Sequence, residues 1–448
     1  MARLTKTIEY LFYLFIFLLP WQTRLIWRDA SLNGFTWEYG RFSLYGTEIL
    51  LWVILFLYAA WLIVNRPTAK LTAREYLAYL RQPRVIAYWL VVIFLLLAGF
   101  SVIGSIDAVL AYYHWFWLIE AVALFSLIVN FNFSLRRLAV AWVGSAAIQS
   151  VFAIWQFFNQ YVFANKWLGL AWQFPTQGGS IILQTDSERW LRAYGSLPHP
   201  NILAGFLVVA LLLLLYLAFS TNTRILLRIF ILSSLLVITP ALFFSFSRSA
   251  WIALIVCLIV LSFWLYRRHD KALNRTFYQI FLLLVLMVVI LGLNLTDPLV
   301  TRLVGREPLE ISSISLRMTF TEQAWNIIQT RPWQGTGVGN YTLGVYHDIN
   351  SSWPGYYYQP VHNLYLLILA EMGIFGALTF AALLGLLGYM AFRQGPSLEK
   401  MIIILSLASC LVISLFDHYF WTLYFGVMVF WVVLALNFRA LKGGFDNS

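Results

Sequence analysis

Val361-His362-Asn363-Leu364-Tyr365, running into Ala370-Glu371-Met372-Gly373-Ile374-Phe375-Gly376, is where the chain changes character. A polar segment, residues 296–360, ends there, and a strongly apolar run, residues 362–391, begins. That run exceeds the about 20 residues needed to span the hydrocarbon layer, so it reads as a membrane helix. His362 and Asn363 then sit at its mouth. A titratable side chain capping a large loop at a membrane boundary is the first candidate for chemistry, although the plainer reading of a single such residue is an interfacial ring. Gly373 and Gly376 follow three turns on, spaced so that a neighbouring helix can approach closely.

Composition agrees with a membrane helix. Of the 448 residues, 61% are hydrophobic and 11% charged. Soluble domains carry about 25% charged residues, so the expected fold class is an all-α polytopic membrane protein. The two cysteines, Cys257 and Cys410, lie inside apolar runs and read as small buried hydrophobes. Neither a disulfide framework nor a metal site is expected from them. The net charge of +11 is informative through its placement, and no nucleic-acid partner is expected.

Apolar runs cover residues 8–20, 45–65, 86–103, 107–130, 138–158, 200–219, 226–246, 249–266, 276–295, 362–391, 400–416 and 419–438. These predict about twelve transmembrane helices in one integral membrane domain, residues 1–448. The first run ends at Leu19-Pro20-Trp21 without a small-residue cleavage site, which argues for an uncleaved helix. With the N-terminus inside, every alternate short loop is basic, from Arg3 and Lys6 through Arg66, Lys70 and Arg74 to Arg439 and Lys442. Together those loops hold 19 of the 30 lysines and arginines. The positive-inside rule therefore places both termini in the cytoplasm and the large loops 159–199 and 296–360 outside.

The outward arginines need a reason. Arg24, Arg28 and Arg41 are explained by snorkelling to headgroups. Lys166, Arg189 and Arg192 lie in the loop before Pro200; Arg302, Arg306, Arg317 and Arg331 lie in the largest outer loop, and Arg248 between two helices. For these, binding an anionic group at the outer membrane face is the functional alternative. Arg248, within Ser247-Arg248-Ser249, stands in a hairpin too short to leave the membrane surface. In Pro198-His199-Pro200-Asn201, Pro200 suits a first helical turn and Asn201 can satisfy free backbone donors. Ser312 to Thr330 predicts an amphipathic helix on the outer face, with Ile314, Met318, Trp325 and Ile328 on its apolar spacing and Arg317 in its second turn. Pro332-Trp333-Gln334-Gly335-Thr336-Gly337-Val338-Gly339 follows no strand, so it reads as a tight turn lining the site rather than a nucleotide loop.

His362-Asn363, nine residues, then Gly373-Ile374-Phe375-Gly376 resembles the signature of bacterial O-antigen ligases. Pro198 to Gly205, Ser247-Arg248-Ser249 and Pro332 to Gly337 resemble other blocks of the superfamily that also holds O-antigen polymerases and O-linked protein oligosaccharyltransferases. The resemblance covers residues 190–392. It implies a GT-C-like architecture and a metal-independent, inverting transfer of a glycan from an undecaprenyl diphosphate carrier, with no cofactor. The acceptor hydroxyl would belong to lipid A-core, another glycan chain or a protein. The protein would be a multi-pass component of the bacterial cytoplasmic membrane, embedded in membrane lipids, with its site on the outer face.

Under that resemblance His362 is the general base, since histidine titrates near working pH. Arg192, Arg248 and Arg317 bind the donor diphosphate, for which the arginine fork is matched. Asn363 and Asn201 position the acceptor or the imidazole. Gly373, Gly376 and Glu371 are structural: on a regular helix Glu371 lies about 13 Å from His362 and half a turn round, too far to orient it. Asp417-His418 is a second carboxylate–imidazole pair, ranked below His362. A flippase or transporter is the alternative from another class, and a metal-dependent transferase using Asp186-Ser187-Glu188 is a second enzyme reading.

Overall fold

The computed structural model describes residues 2–65, 80–185, 188–219, 224–305 and 308–442. Arg66, Lys70, Arg74, Arg306 and the Asp186-Ser187 part of the acidic triplet lie outside these residues. Every apolar run coincides with a helix. α1 (Ala2–Leu18), α2 (Gly46–Val64), α3 (Pro83–Ser101), α4 (Ala108–Asn130) and α5 (Leu135–Asn159) precede the first long connection. α6 (Pro200–Ala218), α7 (Ile225–Phe244), α8 (Arg248–Arg268) and α9 (Lys271–Asn294) follow it. The second connection contains α10 (Thr296–Val304), α11 (Pro308–Thr330) and α12 (Tyr341–Asp348). The chain closes with α13 (Leu364–Gln394), α14 (Leu398–Ile413), α15 (Tyr419–Thr422) and α16 (Tyr424–Lys442).

Among the described residues ten helices are long and apolar enough to cross a membrane. α1 and α14 are apolar too, but shorter, at 17 and 16 residues. The molecule is an all-α polytopic membrane protein. Its centre is set by packing and not by hydropathy, because lipid covers an apolar helix as readily as protein does. α16 is buried along its whole apolar window and α6 along 89% of it, whereas α9 is covered over only 6% and lies at the periphery. α16 packs on α4 and α14, and α6 packs on α5, α7 and α14. At one end of α16 the Arg439 guanidinium donates to the Ile128 and Phe131 carbonyls and lies 4.4 Å over the Phe133 ring. A charge at that depth needs such partners, and backbone acceptors are among those that meet it.

The opposite end carries the long connections. Between α1 and α2, strands β1 (Arg24–Arg28) and β4 (Phe42–Tyr45) pair antiparallel, and β2 (Ser31–Leu32) and β3 (Phe35–Thr36) form a hairpin between them. Between α5 and α6, β5 (Ile182–Gln184) pairs with β6 (Arg189–Leu191) over a small core of Val162, Leu170, Leu191 and Tyr194. The helix expected over 312–330 starts earlier, at Pro308. Its buried side also differs from the expected one. Phe320, Ala324, Ile327 and Ile328 are covered, while Ile314, Met318 and Trp325 are exposed. Packing against α13 and α12 sets that rotation.

Candidate active site

Asn363 starts α13. Its Oδ1 accepts from the Tyr365 and Leu366 N–H groups, each at 3.0 Å, and its Nδ2 donates to the Leu415 carbonyl at 3.2 Å. This is N-cap chemistry. The side chain expected to hold the acceptor or the imidazole is therefore occupied in fixing the helix entry. His362, one residue before, is held by ring contacts instead. It stacks on Phe320 of α11, with centroids 5.7 Å apart and planes 6° from parallel. It also meets the His418 ring edge-on at 5.0 Å. Its Nδ1 is enclosed without a hydrogen-bond partner, and the ring lies near the Pro360 backbone.

His199 makes the corresponding turn at α6. Its Nδ1 accepts from the Asn201 N–H at 3.0 Å, with Pro200 as the first helical residue. The cap is thus His199, and Asn201 has another task. The Asn201 Oδ1 accepts from Arg192 Nη2 at 2.7 Å, and its Nδ2 donates to Asp417 Oδ2 at 3.0 Å. Asp417 Oδ1 accepts from the His418 N–H at 2.9 Å, and His418 Nδ1 pairs with the Thr422 hydroxyl at 2.8 Å. Three of the six histidines, His199, His362 and His418, thus lie within electrostatic reach of one carboxylate.

Burial sets the protonation of this group. It lowers the His362 pKa, with Arg317 adding to the effect and Asp417 opposing it. Burial likewise pushes His199 and His418 down to about 3. The same burial favours a neutral Asp417, but His418, His362, His199 and the Asn201 amide together hold it below the ordinary carboxylate value.

Arg192 and Arg317 act on this group directly, and Arg302 and Arg248 adjoin them. Arg192 is 4% exposed and donates through Nε to the Ser245 carbonyl at 2.7 Å, besides its bond to Asn201. Arg302 donates to the Phe246 carbonyl at 2.8 Å and binds Glu310 at 2.5 and 2.7 Å. Arg248 reaches the same carboxylate at 3.2 Å and the Arg302 carbonyl at 3.3 Å. Arg317 is half-buried. Burial disfavours the charges of Arg192, Arg302 and Arg317, and Arg302 and Arg317 oppose Arg192 while Arg248 opposes Arg302 and Arg317. Among the described residues Glu310 and Asp417 are the carboxylates set against these four cations. A dense positive charge with too few counter-ions is a site that an anion stabilises.

Glu371 and the glycine-rich segment form the floor. Gly373, at φ +63°, interrupts α13. A Cβ there would lie 2.1 Å from the Trp333 carbonyl oxygen, so the glycine admits a loop backbone rather than the neighbouring helix expected. Gly376 faces the Met372 side chain of its own helix. The freed α13 carbonyls accept from the loop, Thr336 N–H to Ala370 at 2.9 Å and Gly337 N–H to Glu371 at 3.0 Å. The Glu371 carboxylate accepts from the Gly339 and Tyr341 N–H groups at 2.8 and 3.2 Å and from Trp421 Nε1 at 2.6 Å. Through Trp421 it ties the loop to the segment bearing Asp417 and His418. It does not touch His362.

His199 and Glu310 have no role in the sequence reading, where Arg302 is one of several outward arginines and Asp417 belongs to the lower-ranked pair. His199 stood inside the Pro198-His199-Pro200-Asn201 block, and Asp417-His418 was visible as a pair. Arg302 and Glu310 gave no sign beyond being outward charges. Among the described residues no three His, Cys, Asp or Glu side chains converge as a metal ion requires. No curated protein matches the chain. Residues 233–381, which hold Arg248, Arg302, Glu310, Arg317, His362 and the glycine-rich floor, match the family model described as O-antigen ligase, a match that supports the O-antigen ligase superfamily.

Proposed function

We propose that the protein transfers a glycan from an undecaprenyl diphosphate carrier to an acceptor hydroxyl at the outer face of the bacterial cytoplasmic membrane, by inversion and without a metal. The superfamily supports ligase- or polymerase-type chemistry in general. The finer reading rests on one observation, a partly buried imidazole near a cluster of four guanidinium groups at the loop-rich end of the bundle. The acceptor oxygen attacks the anomeric carbon, and His362, through the nitrogen that is not enclosed, takes its proton as that bond forms. The anomeric carbon–oxygen bond to phosphate breaks, and the diphosphate leaves with the bonding pair. In-line displacement inverts the centre. A diphosphate is a weak base and needs no proton donor, but it needs positive charge in a poorly hydrated place. Arg317 and Arg248 supply that charge, while Arg192 and Arg302 hold the surrounding potential. Asp417 meets the imidazolium that forms.

Ligation to lipid A-core is the reading we favour. A polymerase extending a second chain and a transferase modifying a protein use the same chemistry with another acceptor. The surface polymer of cells lacking the protein separates them: capped single units, free long polymer on the carrier, or unmodified protein. Transfer from a purified lipid-linked donor, followed with and without a chelator, tests the chemistry. Movement of the donor across vesicles with no cleavage would favour a flippase instead.

A further inference from the structure

The β2–β3 hairpin turns through Asn33 and Gly34, at φ +52° and +79°, the left-handed pair that a two-residue hairpin turn requires. Asn33 Nδ2 donates to both the Ser351 and Trp353 carbonyls at 2.7 Å. Gly355 is seated against the hairpin backbone, where a Cβ would come within 2.4 Å of the Phe35 carbonyl. The two segments are therefore locked together, far apart in sequence as they are. Their junction carries three rings in series. Phe35 meets Tyr356 edge-on at 5.6 Å, and Tyr356 lies 5.3 Å from Tyr357. All three are about half exposed, at 48, 55 and 49%.

Contiguous exposed aromatics on a fixed backbone mark an interaction surface. These stand on a hairpin whose base carries the Arg24–Glu38, Arg41–Asp29 and Arg41–Glu38 ion pairs, with the Asp29 side chain 71% exposed. The rings also connect to the site. Tyr39 donates to Gln359 Oε1 at 3.0 Å and its ring meets His418 at 5.9 Å, while Gln359 Nε2 donates to the Tyr356 carbonyl at 2.9 Å. Tyr357 precedes His362 by five residues, so their Cα atoms are at most about 18 Å apart.

We infer that Phe35, Tyr356 and Tyr357 form a glycan subsite, stacking on the C–H face of a pyranose a few sugars from the reacting one. Ring faces are electron-rich and attract the positive C–H edges of an uncharged sugar. Rigid rings also give contact area at little entropic cost. The inference rests on the proposed glycan transfer. The sugar belongs to either the donor chain or the acceptor.

The test uses the full protein in lipid nanodiscs and two probes, the oligosaccharide released by mild acid from the lipid-linked donor and that released from the acceptor. Saturation transferred from the protein's aromatic protons should reach one of them in the wild type and be lost in Tyr356→Ala/Tyr357→Ala. The KM of the matching substrate should rise about tenfold with kcat within twofold, and Tyr356→Phe/Tyr357→Phe should behave as wild type. Which probe responds identifies the source. The subsite is refuted if neither probe depends on the rings, if the alanine variant only melts earlier at unchanged KM, or if the rings prove to join two copies of the chain. Absence of transfer by the wild type would instead remove the proposed function, and the saturation measurement would still decide the subsite.

Discussion

Glu310 receives Arg302 through two bonds, at 2.5 and 2.7 Å, with both side chains 8% exposed. One carboxylate so engaged also reaches Arg248 at 3.2 Å. It therefore holds two cations of the site in place while leaving the set positively charged. Glu310→Ala should leave Arg302 buried without its partner, a loss of about 3–5 kcal/mol. The variant should melt well below wild type in detergent. An unchanged melting temperature would mean that Glu310 is not what anchors the pair.

Arg317 differs from its three neighbours. Among the described residues no hydrogen bond or ion pair to its guanidinium is present, so alanine strands no buried partner. Arg317→Ala should fold and melt like wild type yet bind the donor more weakly. A charged hydrogen bond is worth about 1.5–3 kcal/mol, or roughly 10–100-fold in affinity. Lysine should restore part of it, lacking the fork. Arg192→Ala should lose folded protein first, since Arg192 bonds Ser245 and Asn201. Normal donor affinity in folded Arg317→Ala would return that arginine to an interfacial role.

The contrast between these arginines shows where reading the chain stops. Apolar runs predict helices because a membrane leaves the backbone no other way to satisfy its hydrogen bonds. Pro200 and Gly373 likewise announce a helix start and a break. Which outward charge pairs with which is decided across long separations, as in Asn201 to Asp417, 216 residues apart. Periodicity carries no trace of that. Asn363 shows the opposite error: a residue quoted in a motif suggests chemistry, while its position two residues before Tyr365 gives it the work of an N-cap.

Gly373 combines φ +63° and ψ −169° with a carbonyl in the space a Cβ would fill. Gly373→Ala should cost at least about 1–3 kcal/mol from backbone strain alone. The glycine-rich loop should then detach from Glu371, seen as a lower melting temperature together with lost transfer. Wild-type stability would show that α13 can close its break elsewhere.

Orientation has a direct test. Cysteines at Thr176 and Ser351, in the loops 159–199 and 296–360, should react with an impermeant thiol reagent in cells whose outer layer is made permeable. One at Thr68 should react only after lysis. The reverse pattern would put the candidate site on the cytoplasmic side and end the proposed donor chemistry.

His362 carries the mechanism. His362→Ala should lower transfer per folded, donor-competent molecule by roughly 10²–10⁴-fold, the range for a positioned base. Expression should stay near normal, because the ring is half-buried and its Nδ1 holds no well-formed hydrogen bond that would be lost. The pH profile gives an independent reading. The active form is the neutral imidazole, so the rate falls as pH drops through the His362 pKa. Burial lowers that pKa, with Arg317 acting in the same direction and Asp417 against it. The acid limb should therefore lie below the ordinary histidine value of about 6.5. In Asp417→Asn the opposing carboxylate is gone, and the limb should move further down while the imidazolium loses its counter-charge and kcat falls. In Arg317→Ala the limb should move up. A wild-type limb above 6.5, or one that ignores both substitutions, would assign the titration to another group.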